Sequence, residues 1–178
     1  MSEFYRWLDS RGALIGSQTM RDYSFFEEQF APELLDEVLG LEADRLANLR
    51  DGMTEEGLAL MRMMAIEEHG LRLRTEAAAQ MDEALWAMAF REHPYRLPIL
   101  GIPEELFGIT LEEAREAFDQ RYAPSNITVV LAGAIEPERV LPRLRELYGS
   151  IPDRSKRGKS VPRREPPGRE KQIGRAHV

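Results

Sequence analysis

Apolar residues recur at helical spacing along most of the chain and predict six helices. These helices cover approximately residues 2–10, 32–50, 54–74, 76–90, 110–123 and 137–148. Thr54 suits the N-cap of the third helix and Thr75 that of the fourth, because a side-chain hydroxyl there can accept a free backbone N–H. Pro137 suits the first turn of the last helix, where its missing N–H costs nothing.

Three other stretches have the composition of strands. Residues 12–19 and the aromatic-rich residues 23–30 are joined at Arg21-Asp22, which predicts two antiparallel strands. Residues 126–133 form a nearly continuous β-branched run, typical of a strand that is covered on both faces. The fold class predicted is therefore α+β, with a mixed, largely antiparallel sheet packed against helices.

Composition and charge exclude several classes of protein. The chain has no cysteine, so any metal must bind to His, Asp or Glu side chains. From Asp153 onward there are nine Lys or Arg and three Asp or Glu, so residues 1–152 have a net charge of −13 within a total of −7. An acidic body predicts no nucleic-acid partner. No apolar stretch is long enough to predict a membrane span in this chain.

The residue with the clearest chemical interest is Glu68. It follows Met61 by seven positions and Met64 by four, and precedes Leu71 by three, so all four lie on one face of the third helix. A carboxylate buried without a partner in such a stripe costs several kcal/mol. We therefore expect an arginine, a hydrogen-bond donor or a metal beside it, or an escape to solvent at the helix edge. Glu67 has similar neighbours, so spacing does not choose between the two.

The three histidines do not form a recognisable metal site. His69 is directed about 100° away from Glu68 on a helix, so the two do not easily bind one ion. His93 precedes Pro94 in a loop and is interpreted as packed or hydrogen-bonded, and His177 lies in the basic tail. No H-E-x-x-H or H-x-x-E-H motif occurs.

Five short motifs, taken in order, resemble the pitrilysin/insulinase superfamily of zinc peptidases. The resemblance is closest to bacterial relatives of mitochondrial processing peptidase and extends from about Glu3 to Pro152. The motifs are Thr19–Tyr23, Leu41–Leu49, Arg62–Glu68, His93–Pro98 and Tyr122–Asn126.

The resemblance implies a zinc-dependent metalloendopeptidase, in which zinc-activated water hydrolyses peptide or unfolded protein substrates. In that family H-x-x-E-H supplies two His ligands and the general base, and a distant Glu, matching Glu68, is the third ligand. The edge strand that binds extended peptides matches Gly16, Ser17, Gln18 and Thr19. Because H-x-x-E-H stands roughly seventy-five residues before the ligand Glu, it would precede Met1. No catalytic residue is therefore assigned here, and the chain alone is expected to be inactive.

Two departures from the family pattern leave an alternative open. Met61 stands where the family usually has an acidic residue, and Gly16 where an Asn opens the edge strand. The alternative is a non-catalytic partner or scaffold subunit of a paired peptidase, bound to a homologous subunit or to the rest of its own chain. An unrelated α+β module would be favoured if residues 16–30 formed no paired strands.

The resemblance also predicts the domain organisation. Residues 1–152 are interpreted as part of an N-terminal peptidase domain and residues 153–172 as a basic linker towards the next domain. Residues 173–178 are interpreted on separate grounds as a non-native tail, because Ile173–Val178 looks like one reading frame of a common sequencing-adapter oligonucleotide. A missing upstream strand and helix would leave a sheet edge and apolar core exposed. The compartment, bacterial cytoplasm or periplasm, is not predicted.

We predict that the source DNA encodes H-x-x-E-H a few codons upstream of Met1. We also predict that the genomic reading frame does not contain the codons for Ile173–Val178. Sequencing across both ends of the reading frame checks both predictions. A degenerate upstream motif would favour the partner subunit, and an uninterrupted genomic reading frame through residues 173–178 would contradict the tail interpretation.

Overall fold

The computed structural model describes residues 3–155, which divide into two units. The first unit contains residues 3–60 and 108–155, and the second contains residues 61–107. Helix α3 begins in the first unit and continues in the second. The predicted linker beyond Ser155, the predicted tail at residues 173–178 and His177 lie outside the described residues.

Seven α-helices occur in the described residues, and most match the helical periodicity. They are α1 (Glu3–Asp9), α2 (Leu35–Asn48), α3 (Glu55–Thr75), α4 (Ala77–Ala89), α5 (Pro103–Leu106), α6 (Leu111–Arg121) and α7 (Pro137–Gly149). Short 3-10 turns begin at Pro32, Pro94 and Pro124. Each of these prolines is followed by a single turn because its ring presets φ and removes an N–H that a turn's start does not use. No described helix has the length and apolar character to cross a membrane.

The predicted hairpin is confirmed. Strand β1 (Leu14–Thr19) pairs with β2 (Ser24–Gln29) in antiparallel register, with Leu14 opposite Gln29 and Thr19 opposite Ser24. The Met20 N–H donates to the Tyr23 carbonyl at 2.7 Å and closes the turn around Arg21-Asp22. The fold class is α+β, and the sheet in the described part of the chain is this two-stranded hairpin.

The core of the first unit lies between α1, the hairpin and α2. Leu8 is completely buried, and Ala13 and Val38 pack with it. Partly buried apolar side chains surround this cluster: Phe4, Trp7, Ile15, Phe30 and Leu34. Because Ile15 belongs to β1, one face of the hairpin is directed to the core.

Polar contacts connect the later helices of the first unit to α2 and to the loop that follows it. Arg50, just after α2, donates to Asp119 of α6 at 2.8 Å.

The Thr110 hydroxyl accepts the Glu113 N–H, and Glu113 accepts the Thr110 N–H, forming a capping box at the start of α6.

The predicted strand at residues 126–133 is wrong for the described structure. After the 3-10 turn at Pro124, the backbone of Ile127 is extended, but no ladder forms along the segment. Val129 is 42% exposed and Val130 80% exposed. A β-branched run favours extended backbone, but a strand also needs a neighbour to accept its hydrogen bonds. None of the described residues supplies that neighbour.

The predicted helix starts have two outcomes. At α3 the Thr54 hydroxyl accepts the Gly57 N–H at 3.1 Å, so the N-cap is confirmed. At α4 the prediction of Thr75 is wrong, because Thr75 is still part of α3 and its hydroxyl donates to the Leu71 carbonyl. Glu76, with φ −121° and ψ 99°, makes the break between the helices.

Candidate functional site

From Met61 onward, helix α3 has two distinct faces. One face is half-buried and includes Arg62, Ala65, Ile66, His69 and Leu73. The opposite face, which we call the outer face of α3, is exposed and consists of Met61, Met64, Glu67, Glu68 and Leu71. Apolar residues therefore lie on both faces of this part of α3, and those of the outer face are exposed, whereas an ordinary surface helix presents a mainly polar face to water.

Glu68 lies on this exposed outer face. Its neighbours Met61, Met64 and Leu71 are 56%, 53% and 54% exposed, so the predicted apolar stripe exists but is not covered by described residues. Glu68 itself is exposed. Of the alternatives given by the sequence, the described residues show the exposure to solvent, and no described hydrogen bond or ion pair involves the Glu68 carboxylate. Its carboxylate oxygens remain available to a ligand.

His69 is turned away from Glu68, as the helical angle predicts. Its Nε2 lies 2.9 Å from Oε1 of Glu83 on α4, and its side chain is only 12% exposed. A second polar link follows one turn later, where the Gln80 side-chain amide donates to the Leu73 carbonyl. His69 therefore joins α3 to α4 and is not directed to the same space as Glu68.

Sequence reasoning missed Glu83, although a signal was present. Glu83 is half-buried on the face of α4 that also has Trp86 and Phe90, three and seven residues later. A carboxylate in an aromatic stripe needs a partner, which is the same argument that drew attention to Glu68. Here the partner is His69, on a neighbouring helix.

His93 has a structural role, as interpreted from the sequence. Its Nδ1 accepts the Tyr95 N–H at 3.2 Å, and its ring lies 4.2 Å from the Tyr95 ring between centroids. Phe90 and Trp86 stack at 5.5 Å, and both meet Tyr95 edge-on. The loop after α4 is thus held by an aromatic cluster.

The described residues do not by themselves complete a zinc site. Catalytic zinc takes three protein ligands and a water. Among described residues, no group of three or more His, Cys, Asp or Glu side chains is placed to hold a metal ion.

The second candidate element is the free edge of β1. The Met20 N–H donates to the Tyr23 carbonyl, so the backbone polar groups of Met20 are directed toward β2. Because these groups point to opposite edges at successive residues of a strand, those of Gly16 and Gln18 are also directed toward β2. The N–H and C=O groups of Ser17 and Thr19 then point to the other edge. In the described structure β1 pairs only with β2, so these groups have no strand partner.

Gly16 and Glu68 mark two candidate elements that lie in different units. Residues 16–19 belong to the first unit and Glu68 to the second. Nothing lies within 4 Å of where a side chain would begin at Gly16, so the structure leaves space for the Asn of the family pattern there.

Comparisons with known proteins give three main matches. Residues 108–178 match the family described as Peptidase M16 inactive domain. An uncharacterized zinc protease from Mycobacterium leprae is 26% identical over 162 residues, 91% of this chain and 35% of that protein. An uncharacterized zinc protease from Bacillus subtilis is 33% identical over 63 residues, 35% of this chain and 15% of that protein.

The fold also matches a solved structure. The crystal structure of a protease from Helicobacter pylori superimposes with a TM-score of 0.82 at 20% identity, covering 92% of this chain and 40% of that one. The chain spans less than half the length of each of these proteins. The family match begins at Gly108, where the first unit resumes after the second.

We predict that the outer face of α3 drives concentration-dependent self-association of the isolated chain. Replacing Met64 and Leu71 by Ser and Gln should reduce association and dye binding, because it removes exposed apolar area. The folded state should lose little stability, because both side chains are about half exposed. Sedimentation velocity with ANS fluorescence measures the change. The matched control replaces the exposed Val130 of the first unit by Thr, and a stable monomeric wild-type chain would contradict the prediction.

Proposed function

Since the chain resembles the pitrilysin/insulinase peptidases along nearly its whole length, we propose that it forms part of a zinc-dependent metalloendopeptidase. On this proposal Glu68 supplies one zinc ligand, and the remaining ligands and the general base come from residues outside the described part. The isolated chain is then inactive, and the substrate is a peptide or an unfolded protein.

The observation that carries this proposal is the state of Glu68. Glu68 lies among Met61, Met64 and Leu71, and all four side chains are exposed. An exposed apolar surface of this kind suits contact with another element that covers it. Covering that face would place Glu68 in an apolar environment, where a carboxylate needs a cation. The zinc protease names of the two relatives support zinc as that cation.

The free edge of β1 supports a peptide as substrate. An extended peptide can add to such an edge through main-chain hydrogen bonds, which are independent of its sequence. Ser17 and Thr19 offer outward N–H and C=O groups, whereas Gly16 and Gln18 contribute chiefly by holding β1 to β2.

A non-catalytic partner subunit is the second candidate. It is favoured by Met61, which replaces the family's acidic residue, and by the description of the matching family as an inactive domain. That match covers residues 108–178 and does not include Glu68 or Met61. In this case Glu68 would be a surface carboxylate without a metal.

The test of Glu68 uses the complete product of the source gene. We predict that Glu68→Gln lowers zinc affinity by more than about 100-fold, because a neutral amide is a poor zinc ligand. Competition with a chromogenic chelator measures the affinity, and peptide cleavage should be lost in parallel.

Glu67→Gln is the matched control, because Glu67 is the neighbouring exposed carboxylate on the same face of α3. It should leave zinc affinity within about threefold of wild type. Equal losses in both variants, or no loss in Glu68→Gln, would contradict the assignment of the ligand. Absence of zinc binding in the unmodified complete protein would favour the partner subunit.

The test of β1 removes a single outward N–H. Ser17→Pro should raise KM for an extended peptide by about five- to tenfold with little change in kcat, because one hydrogen bond to substrate is lost. Ser17→Ala keeps the N–H and should behave as wild type. If both variants match wild type in steady-state kinetics, the peptide does not pair with this edge.

A further inference from the structure

Arg45 of α2 lies where the hairpin meets the helix, and its guanidinium forms an ion pair with one carboxylate. Both Nε and Nη2 donate to Glu42, three residues earlier on the same helix, at 3.1 and 2.5 Å. The guanidinium carbon also lies 4.4 Å from the ring centroid of Phe26 on β2. Arg45 thus contacts the hairpin through a cation–π interaction, and a bidentate ion pair with Glu42 of its own helix holds its guanidinium in place.

A second carboxylate, Glu28, shares this region without such a partner. It is opposite Ile15 in the register and two residues from Phe26, so it lies on the core-directed face of β2. It is half-buried. In the described residues it has no hydrogen bond and no ion pair, whereas the exposed Glu27 on the other face accepts from Gln29 at 2.9 Å.

The charges around Glu28 come from every neighbouring element. Glu42 and Arg45 are on α2, and Glu27 is adjacent on β2. Tyr148 of α7 interacts with Arg45 and both carboxylates, whereas Tyr5 of α1 interacts with Arg45. The half-buried carboxylates Glu28 and Glu42 share a single guanidinium, that of Arg45. When Glu28 is ionised, the cluster therefore has one negative charge in excess.

We propose that Glu28, Glu42 and Arg45 form a proton-dependent clamp that holds the β1–β2 hairpin tightly to α2 when Glu28 is protonated and loosens it when Glu28 ionises. A neutral Glu28 remains on the core-directed face without an uncompensated charge. An ionised Glu28 gains from water, which it reaches by moving the hairpin away from α2. The clamp therefore controls the strand whose free edge is the candidate peptide site, and it does not depend on a metal.

The direction of the pH dependence follows from the environment of Glu28. Burial, followed by the charge of Glu42, raises the pKa of Glu28 from 4.5 to about 6. A raised pKa means that the folded chain holds this proton more firmly than the unfolded chain does. The stabilisation is complete below pH 4.5 and is lost as the pH rises through about 6.

The experiment uses this chain at low protein concentration and measures amide hydrogen exchange of β1 and β2 at pH 5 and pH 7.5. The exchange rates are corrected for the intrinsic effect of pH. Between pH 5 and pH 7.5 the protection of the hairpin amides should fall about tenfold more in wild type than in Glu28→Gln, because only the glutamate side chain ionises. At pH 5 the two proteins should differ much less. Glu27→Gln is the matched control and should keep the wild-type pH dependence.

A second variant separates the clamp from simple burial. Glu42→Gln removes the competing carboxylate and frees Arg45 for Glu28, so it should lower the midpoint and reduce the pH dependence of exchange. Carbon-13 titration of the Glu28 carboxyl gives a direct reading in each protein. A wild-type midpoint near 4.5, or identical pH dependence in wild type and Glu28→Gln, would overturn the proposal.

Discussion

The first unit depends on Arg45, which solves the problem of holding a two-stranded hairpin on a helix. A lone hairpin is marginal in water and needs an apolar surface on one face. Ile15 and Phe30 pack toward Leu8, and Arg45 adds a cation–π contact over Phe26 while Glu42 neutralises its charge. The same arrangement leaves Glu28 without an equivalent cation, so the attachment of the hairpin is sensitive to protonation.

The longest helix of the second unit has apolar residues on its exposed face as well as on its half-buried face. The polar pair of His69 and Glu83 lies between α3 and α4, while Met64 and Leu71 are open to solvent. The inward pair fixes which side of α3 is left free, and that side presents Glu68.

Local features were predicted well from the sequence, and features that need a distant partner were not. The hairpin at Arg21-Asp22 and the N-cap at Thr54 depend on residues within a few positions, and both are present. The strand at residues 126–133 was predicted from its β-branched run, but strand formation needs a neighbour, and none of the described residues provides one. Glu83 was missed because its role depends on His69, fourteen residues away on another helix.

The sequence by itself determined the helical periods, the α+β class, the ordered family motifs and the position of Glu68 in an apolar stripe, because these depend on spacing along one chain. Only the tertiary structure decided that this stripe is exposed, that His69 pairs with Glu83, and that Arg45 is occupied by Glu42 in preference to Glu28. Burial and charge pairing are properties of what surrounds a side chain in space. Spacing along the chain states which face a residue occupies, but not what lies opposite that face.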